Sequence, residues 1–193
     1  MKVSGIAVVC PQANRWPQAR RFQTPSRAAA ISPRSGDTDG ARDVAGTYTK
    51  LYYHIVFSTK HRAAAITPAI EDDLHRYLGG IVRGIGGVCV EINGMSDHVH
   101  ILAILPPKIA VSDALREIKA SSSKWVHESK PNLARFAWQD GYAAFTVSRS
   151  QLDSTVAYIR DQKTHHAQRD FQAEFLALLE KHQVEFDPRY VWD

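Results

Sequence analysis

Two kinds of hydrophobic pattern fill the chain from Thr47 onward, and neither is sustained before it. The run Leu51-Tyr52-Tyr53-His54-Ile55-Val56-Phe57-Ser58 is β-branched and aromatic and predicts a buried strand. Pro68 opens a predicted helix, with Glu71, Asp72 and Asp73 complementing its dipole and Ile70, Leu74, Leu78, Ile81 and Ile85 as its apolar stripe. Gly86-Gly87 ends it. Val88 to Asn93 predicts a second strand, Gly94 to Asp97 a tight connection, and His98 to Leu105 an apolar third strand stopped by Pro106-Pro107. A second helix is expected from near Ser112, carrying Leu115, Ile118 and either Trp125 or Val126 inward. The aromatic stretch Trp138 to Val147 predicts a turn at Gly141 and a short strand through Phe145. Ser148 and Gln151 have capping-box spacing before a third long helix with Leu152, Val156 and Ile159 as its stripe, and Phe171 to Leu179 forms a further amphipathic segment. The order strand–helix–strand–strand–helix–strand, then helices, is that of an α+β, ferredoxin-like (split βαβ) fold: an antiparallel sheet with helices on one face.

Composition divides the chain at the same boundary. Residues 1–46 hold four prolines, six arginines and no periodicity, which predicts a disordered basic tail; residues 47–193 form the folded domain. The tail carries seven basic against three acidic residues, whereas the remainder has 17 of each, so the net charge of +4 belongs to the tail. A nucleic-acid partner would have to be met by local patches on the domain. The opening apolar run stops at Pro11 without a small-x-small cleavage site, which argues against a signal peptide and leaves a dispensable tail or an early start codon as readings. No apolar stretch approaches the roughly 18 to 20 residues that cross a bilayer. Two cysteines, Cys10 and Cys89, make neither a disulfide framework nor a recurring metal pattern, and a reducing, cytoplasmic setting is expected.

Chemistry concentrates at two places. His98 and His100 stand two apart in a strand, so both imidazoles leave one face and can chelate a divalent ion; a structural pair is the competing reading. Tyr158 and Gln162 are four apart on the third helix, bordering its apolar stripe, where a nucleophile and a neutral ligand could reach one site. The alternative is a packed ring beside a solvated amide. Of His165-His166, at most one could join such a site, since adjacent helical residues diverge by about 100°. Lys60 and Arg62 after the first strand, and Lys119 and Lys124 on the second helix, are candidates to grip phosphates, with solvated surface as the alternative. Trp125 and Cys89 read as core.

These strings together resemble the single-tyrosine HUH transposases of the insertion-sequence-200 type, including relatives associated with repetitive palindromes. The histidine–apolar–histidine element is His98-Val99-His100 within Ser96-Asp97-His98-Val99-His100-Ile101-Leu102, and the Tyr-x-x-x-Gln element is Tyr158 to Gln162. Tyr53 to Phe57 with Lys60-His61-Arg62, and Trp138 to Tyr142, fit as flanking strings, so the resemblance spans about residues 47–182. It implies that His98, His100 and Gln162 hold one Mg²⁺ or Mn²⁺ and that Tyr158 attacks single-stranded DNA bearing hairpins. A 5′-phosphotyrosine forms, a 3′-hydroxyl is released, and the linkage is later reversed. It also implies a homodimer in which one subunit's tyrosine helix completes the other's site. Leu51–Ser58 or His98–Leu105 could extend the sheet between subunits if either lay at an edge. A catalytically idle nucleic-acid-binding module would need none of the four site residues. A metal-dependent hydrolase is disfavoured because no Asp or Glu is evident beside the histidines, Asp97 being expected on the opposite face.

Overall fold

The computed structural model describes residues 48–166, 170–189 and 191–192; the expected tail, residues 1–46, lies outside them. Four strands, β1 (Leu51–Ser58), β2 (Val88–Gly94), β3 (His98–Leu105) and β4 (Ala143–Val147), form one antiparallel sheet in the order β2-β3-β1-β4. Helix α1 (Glu71–Gly84) joins β1 to β2, and α2 (Val111–Ser129) joins β3 to β4. Three helices follow: α3 (Leu152–Arg160), α4 (Gln162–His165) and α5 (Phe171–Lys181). The ferredoxin-like arrangement expected from the pattern is present.

The period-two alternation of β1 and β3 decides which side chains meet. Ile55 pairs with Ile101 and Phe57 with Val99, and these residues pack against Leu74, Leu78 and Val82 of α1 and Leu115, Ile118 and Val126 of α2. This is the main core. The intervening residues turn the other way, and Val56, Ala143 and Phe145 pack against Phe171, Leu178 and Leu179 of α5. The sheet is therefore covered on both faces, and the second covering comes from the C-terminal helices.

Several local expectations change. The first helix begins at Glu71, after a turn at Pro68–Ile70, and Val82 is buried where Ile81 is only partly so. Val126, not Trp125, enters the core; Trp125 stacks on Tyr77 at 5.0 Å between ring centroids, at the seam of α1 and α2. Ser148 makes no capping bond, and a 3-10 turn at Arg149–Gln151 precedes α3. The expected long third helix is broken at Asp161, with φ −91° and ψ 17°. Neither Leu51–Ser58 nor His98–Leu105 is an edge strand: both are central, and β2 and β4 are the edges. Gly94 closes the β2–β3 hairpin where a Cβ would lie 2.2 Å from the His98 carbonyl oxygen, so only glycine fits without displacing the strand that begins there.

Candidate metal centre and tyrosine site

The β2–β3 connection places the first histidine. The backbone N–H of Met95 donates to the His98 carbonyl at 3.0 Å, Thr59 N–H to the Asp97 carbonyl at 2.7 Å, and Ile66 N–H to the Ser96 carbonyl at 2.8 Å. The turn is thus tied to the end of β1 and to the segment before α1. Because Asp97 lies in this turn and not yet in the strand, its side chain is not sent to the opposite face: Asp97 Oδ1 accepts from His98 Nδ1 at 2.7 Å. Burial opposes ionisation of Asp97, but the bond from His98 outweighs it and holds the carboxyl below its usual range.

His98 and His100 leave the sheet on the face away from α1 and α2, opposite Ser58 and Val56, and neither has exposed surface. His54, one pleat along on β1, brings its Nε2 to 2.9 Å from His100 Nδ1, with the two rings stacked at 5.2 Å. Burial pushes His54 down to about 3, with the neighbouring His100 adding to the effect, and burial also pushes His100 down. Both rings are neutral at neutral pH.

From above, α5 delivers Glu174, which the sequence reading did not anticipate. Its Oε2 lies 3.6 Å from His98 Nε2 and 3.4 Å from His100 Nε2, and accepts from His166 Nε2 at 2.8 Å. Its Oε1 accepts from Gln162 Nε2 at 2.9 Å and from the Tyr158 hydroxyl. Burial alone would raise this carboxyl, but His100, Tyr158 and Gln162 hold it well below the usual carboxylate range. One carboxylate therefore joins both histidines of the strand to the tyrosine and glutamine of the following helices. The absence of a carboxylate beside the histidines, expected from sequence, is corrected by this contact.

Among the described residues, three buried polar atoms of this cluster find no hydrogen-bond partner: His98 Nε2, His100 Nε2 and Gln162 Oε1. Unpartnered buried nitrogen and oxygen are costly, and all three are donor atoms for a divalent cation. Ligand atoms of His98, His100 and Glu174 lie within 4.8 Å of one another, and the residue types suit a small divalent ion. The chemistry of the donor set fits. Gln162 is fully buried beside it, and Tyr158 packs its ring edge-on to His54 and His100 at 6.0 and 5.9 Å.

The break at Asp161 does not separate Tyr158 from Gln162, because Glu174 is held by both. Asn93 Nδ2 donates to the Arg160 carbonyl at 2.8 Å, and the Arg160 Nε to Glu91 at 2.6 Å, so the end of α3 is fastened to β2 of the same chain. Of the adjacent pair His165-His166, His166 joins the cluster; the side chain of His165 lies outside the described residues. Tyr142, at the end of the flanking string Trp138 to Tyr142, is 40% exposed and has the Lys119 ammonium over its ring.

The basic candidates have different surroundings. Lys60 is exposed, and Lys124 is exposed with Glu128 at 3.9 Å. Arg62 lies over the Trp192 ring. Lys119 is turned inward: its ammonium donates to the carbonyls of Gln139, Asp140 and Gly141 at 2.8, 3.1 and 2.6 Å, and burial pushes it down to about 8. It clamps the loop before β4.

Glu174 did leave a trace in the sequence. Phe171, Glu174 and Leu178 follow i, i+3, i+7 spacing, so the carboxylate stands on the apolar stripe of an amphipathic helix, where an acid needs a partner. His54 likewise alternates with Tyr52 and Val56 on a buried strand face.

The comparisons with known proteins agree with this architecture. The family model described as "Transposase IS200 like" matches residues 47–162. The ISDra2 transposase TnpA of Deinococcus radiodurans is 26% identical over 122 residues, covering 61% of this chain and 87% of that protein. The transposase for insertion sequence element IS200 of Salmonella typhimurium is 29% identical over 146 residues, covering 71% of this chain and 90% of that protein. A 1.90 Å crystal structure of a transposase from Deinococcus radiodurans superposes with a TM-score of 0.52 at 26% identity, over 65% of this chain and 98% of that one. His166 and Glu174 lie beyond the residues matched by the family model, whereas the sheet, His98, His100, Tyr158 and Gln162 fall within them. The chain belongs to the IS200-like transposases.

Proposed function

We propose that this chain is a metal-dependent single-strand DNA transesterase that cleaves and rejoins hairpin-bearing element ends in the cytoplasm. The observation that carries the reading is the convergence of Tyr158, Gln162, His98 and His100 of one chain on Glu174. His98 and His100 would hold Mg²⁺ or Mn²⁺ through Nε2, with Glu174 and Gln162 supplying oxygen. Such an ion, when bound, polarises the non-bridging oxygens of a phosphodiester as a Lewis acid. A carboxylate among the ligands lowers the net charge of the site relative to the neutral His98, His100, Gln162 set that the resemblance implies.

The remaining work falls to the chain itself. Tyr158 Oη attacks phosphorus, the Oη–P bond forms and the P–O3′ bond breaks; the phenolic proton is lost and the departing 3′ oxygen gains one. The product is a 5′-phosphotyrosine and a 3′-hydroxyl, and attack by a 3′-hydroxyl restores the phosphodiester. His98 and His100 have no exposed surface, so the ion they would hold is screened from bulk water. Lys60 and Arg62 are proposed to grip backbone phosphate, and Lys124 is the remaining exposed candidate on α2. Lys119 is proposed to serve DNA only through the loop it holds.

A homodimer is part of the proposal, and a sheet shared between subunits would have to use β2 or β4. Tyr158 stands against His100 of its own chain, which supports a site completed within one subunit. Mixing His100→Ala protein with Tyr158→Phe protein tests this: no restored cleavage, with heterodimers present, is expected, and restoration would establish a site shared in trans. Glu174 also revives a hydrolytic reading, since it is a carboxylate beside the histidines that could serve water. The deciding experiment uses a labelled single-stranded hairpin and Mg²⁺ or Mn²⁺. Transesterification yields a denaturation-resistant adduct labelled only on the 3′ side of the cut, absent in Tyr158→Phe while DNA binding persists. Cleavage that survives Tyr158→Phe without an adduct would establish the hydrolase instead.

A further inference from the structure

A neutral imidazole carries one N–H, so a histidine that gives a metal its Nε2 lone pair must carry the proton on Nδ1, and that proton needs an acceptor. His98 has one of fixed character. Asp97 Oδ1 lies 2.7 Å from its Nδ1 and accepts that proton, which commits His98 to the Nδ1–H form. Among the described residues, no carboxylate is bonded to His100 Nδ1. The group facing its Nδ1 is His54 Nε2 at 2.9 Å, buried on the neighbouring strand.

Resting on the metal-site reading above, we propose that His54 is a positioning residue for the cation: it accepts the His100 Nδ1 proton on its own Nε2 and so keeps the His100 Nε2 lone pair turned into the site. The register of the sheet makes this possible. His54 pairs with Leu102 and His100 with Val56, so the two imidazoles are diagonal neighbours on one face, stacked with an interplanar angle of 28°. Phe145 and Tyr158 pack around His54 at 6.3 and 6.0 Å and hold its ring in place.

His54 differs from Asp97 in that it can also donate. With its proton on Nε2, His54 would donate to His100 Nδ1, and the His100 proton would move to Nε2, facing Glu174 Oε2 at 3.4 Å. The same heavy atoms thus support two proton arrangements, one serving the carboxylate and one serving a cation. Binding the ion selects the second.

The test is Mn²⁺ affinity of the full chain without DNA, measured by electron paramagnetic resonance of the free ion at constant pH. His54→Phe, which keeps a ring but cannot accept, is expected to weaken binding about 10- to 100-fold. His54→Gln, whose Oε1 can accept, is expected to recover most of that loss. Wild-type affinity in His54→Phe, or equal weakening in both variants, would overturn the positioning role. Should His54→Phe fail to fold, imidazole ¹⁵N spectra of the wild type with Mg²⁺ decide the question: His54 and His100 are both expected as Nδ1–H tautomers, and a proton on His54 Nε2 would refute the proposal. If wild type binds Mn²⁺ no better than His98→Ala, the metal-site reading itself fails, an outcome distinct from loss of the His54 role alone.

Discussion

The two faces of the sheet are built from alternate residues of the same strands, yet they obey opposite rules. Toward α1 and α2, β1 and β3 present Ile55, Phe57, Val99 and Ile101, an apolar layer packed on Leu74, Leu78, Leu115 and Ile118. Toward α3 and α5 the same strands present His54, His98 and His100, whose pairing leaves two ring nitrogens unpartnered. The first face derives its stability from burial, and shape alone decides how well it packs. On the second face, polar groups are held in a buried position that stability does not require, and burial has already driven His54 and His100 neutral. Stability and chemistry are thus separated by a single step along a strand.

Substitutions on the two faces of β3 break this comparison most sharply. His98→Ala is expected to abolish metal-dependent cleavage and Mn²⁺ binding, and Ile101→Ala, three residues along the same strand, to lower unfolding free energy by about 2–5 kcal/mol while the folded fraction still cleaves. Denaturant titration and cleavage assays on both proteins measure it; a His98→Ala protein that cleaves normally would contradict the division.

Acid sharpens the comparison next. The folded pKa of His54 lies near 3, below its unfolded value near 6.5, and His100 moves in the same direction. The unfolded chain therefore binds more protons, and the metal-free protein should be fully stable above about pH 6.5 and lose stability as pH falls toward 3. His54 contributes about 1.4 kcal/mol per pH unit within that window, and His100 adds a loss of the same sign. Glu174, also held low, adds to the loss only below about pH 4.5. His75 on α1 is buried and shifted down as well, so the slope remaining in His54→Phe should be shallower but not zero. Urea melts at pH 7.5 and 5.5 on both proteins give the difference; an unchanged slope in the variant would remove His54 from the account.

A smaller effect is expected at the hairpin that sets the second face. Gly94→Ala brings a Cβ against the His98 carbonyl and 2.9 Å from Val99 Cα, both backbone, and should cost about 1–3 kcal/mol. It should also weaken Mn²⁺ binding, because the strand moves at the position that carries His98. Normal affinity with lowered stability would mean that the turn yields without moving the strand. The smallest effect is reserved for residues 1–46. Their deletion should leave the melting temperature essentially unchanged, and a drop of many degrees would show that the tail packs on the domain.

Composition made β1 and β3 legible to the residue, because a strand buried on both faces is a short continuous apolar run bounded by turn residues. The helix ends were less legible. Ser148 and Gln151 match a capping box, but the chain forms a 3-10 turn there, and the break at Asp161 follows from no proline or glycine. His98, His100, Tyr158 and Gln162 could be named because their spacings are local, two apart on a strand and four apart in a helical segment. Asp97 was less legible, because β3 begins only at His98 and strand alternation does not reach one residue back into the turn.

The amino-acid sequence by itself determined the order of elements, the ferredoxin-like sheet and the histidine pair, since each depends on residues near one another in the chain. Only the tertiary structure decided that Glu174, His166 and His54 belong to the same site. Glu174 is 74 residues from His100 along the chain and meets it only because α5 crosses the histidine-bearing face. His54 meets His100 only through the β1–β3 register. Neither contact has a spacing that could announce it. A carboxylate on an apolar stripe and a histidine on a buried strand each signal that a partner exists, but which partner is fixed by how the layers pack.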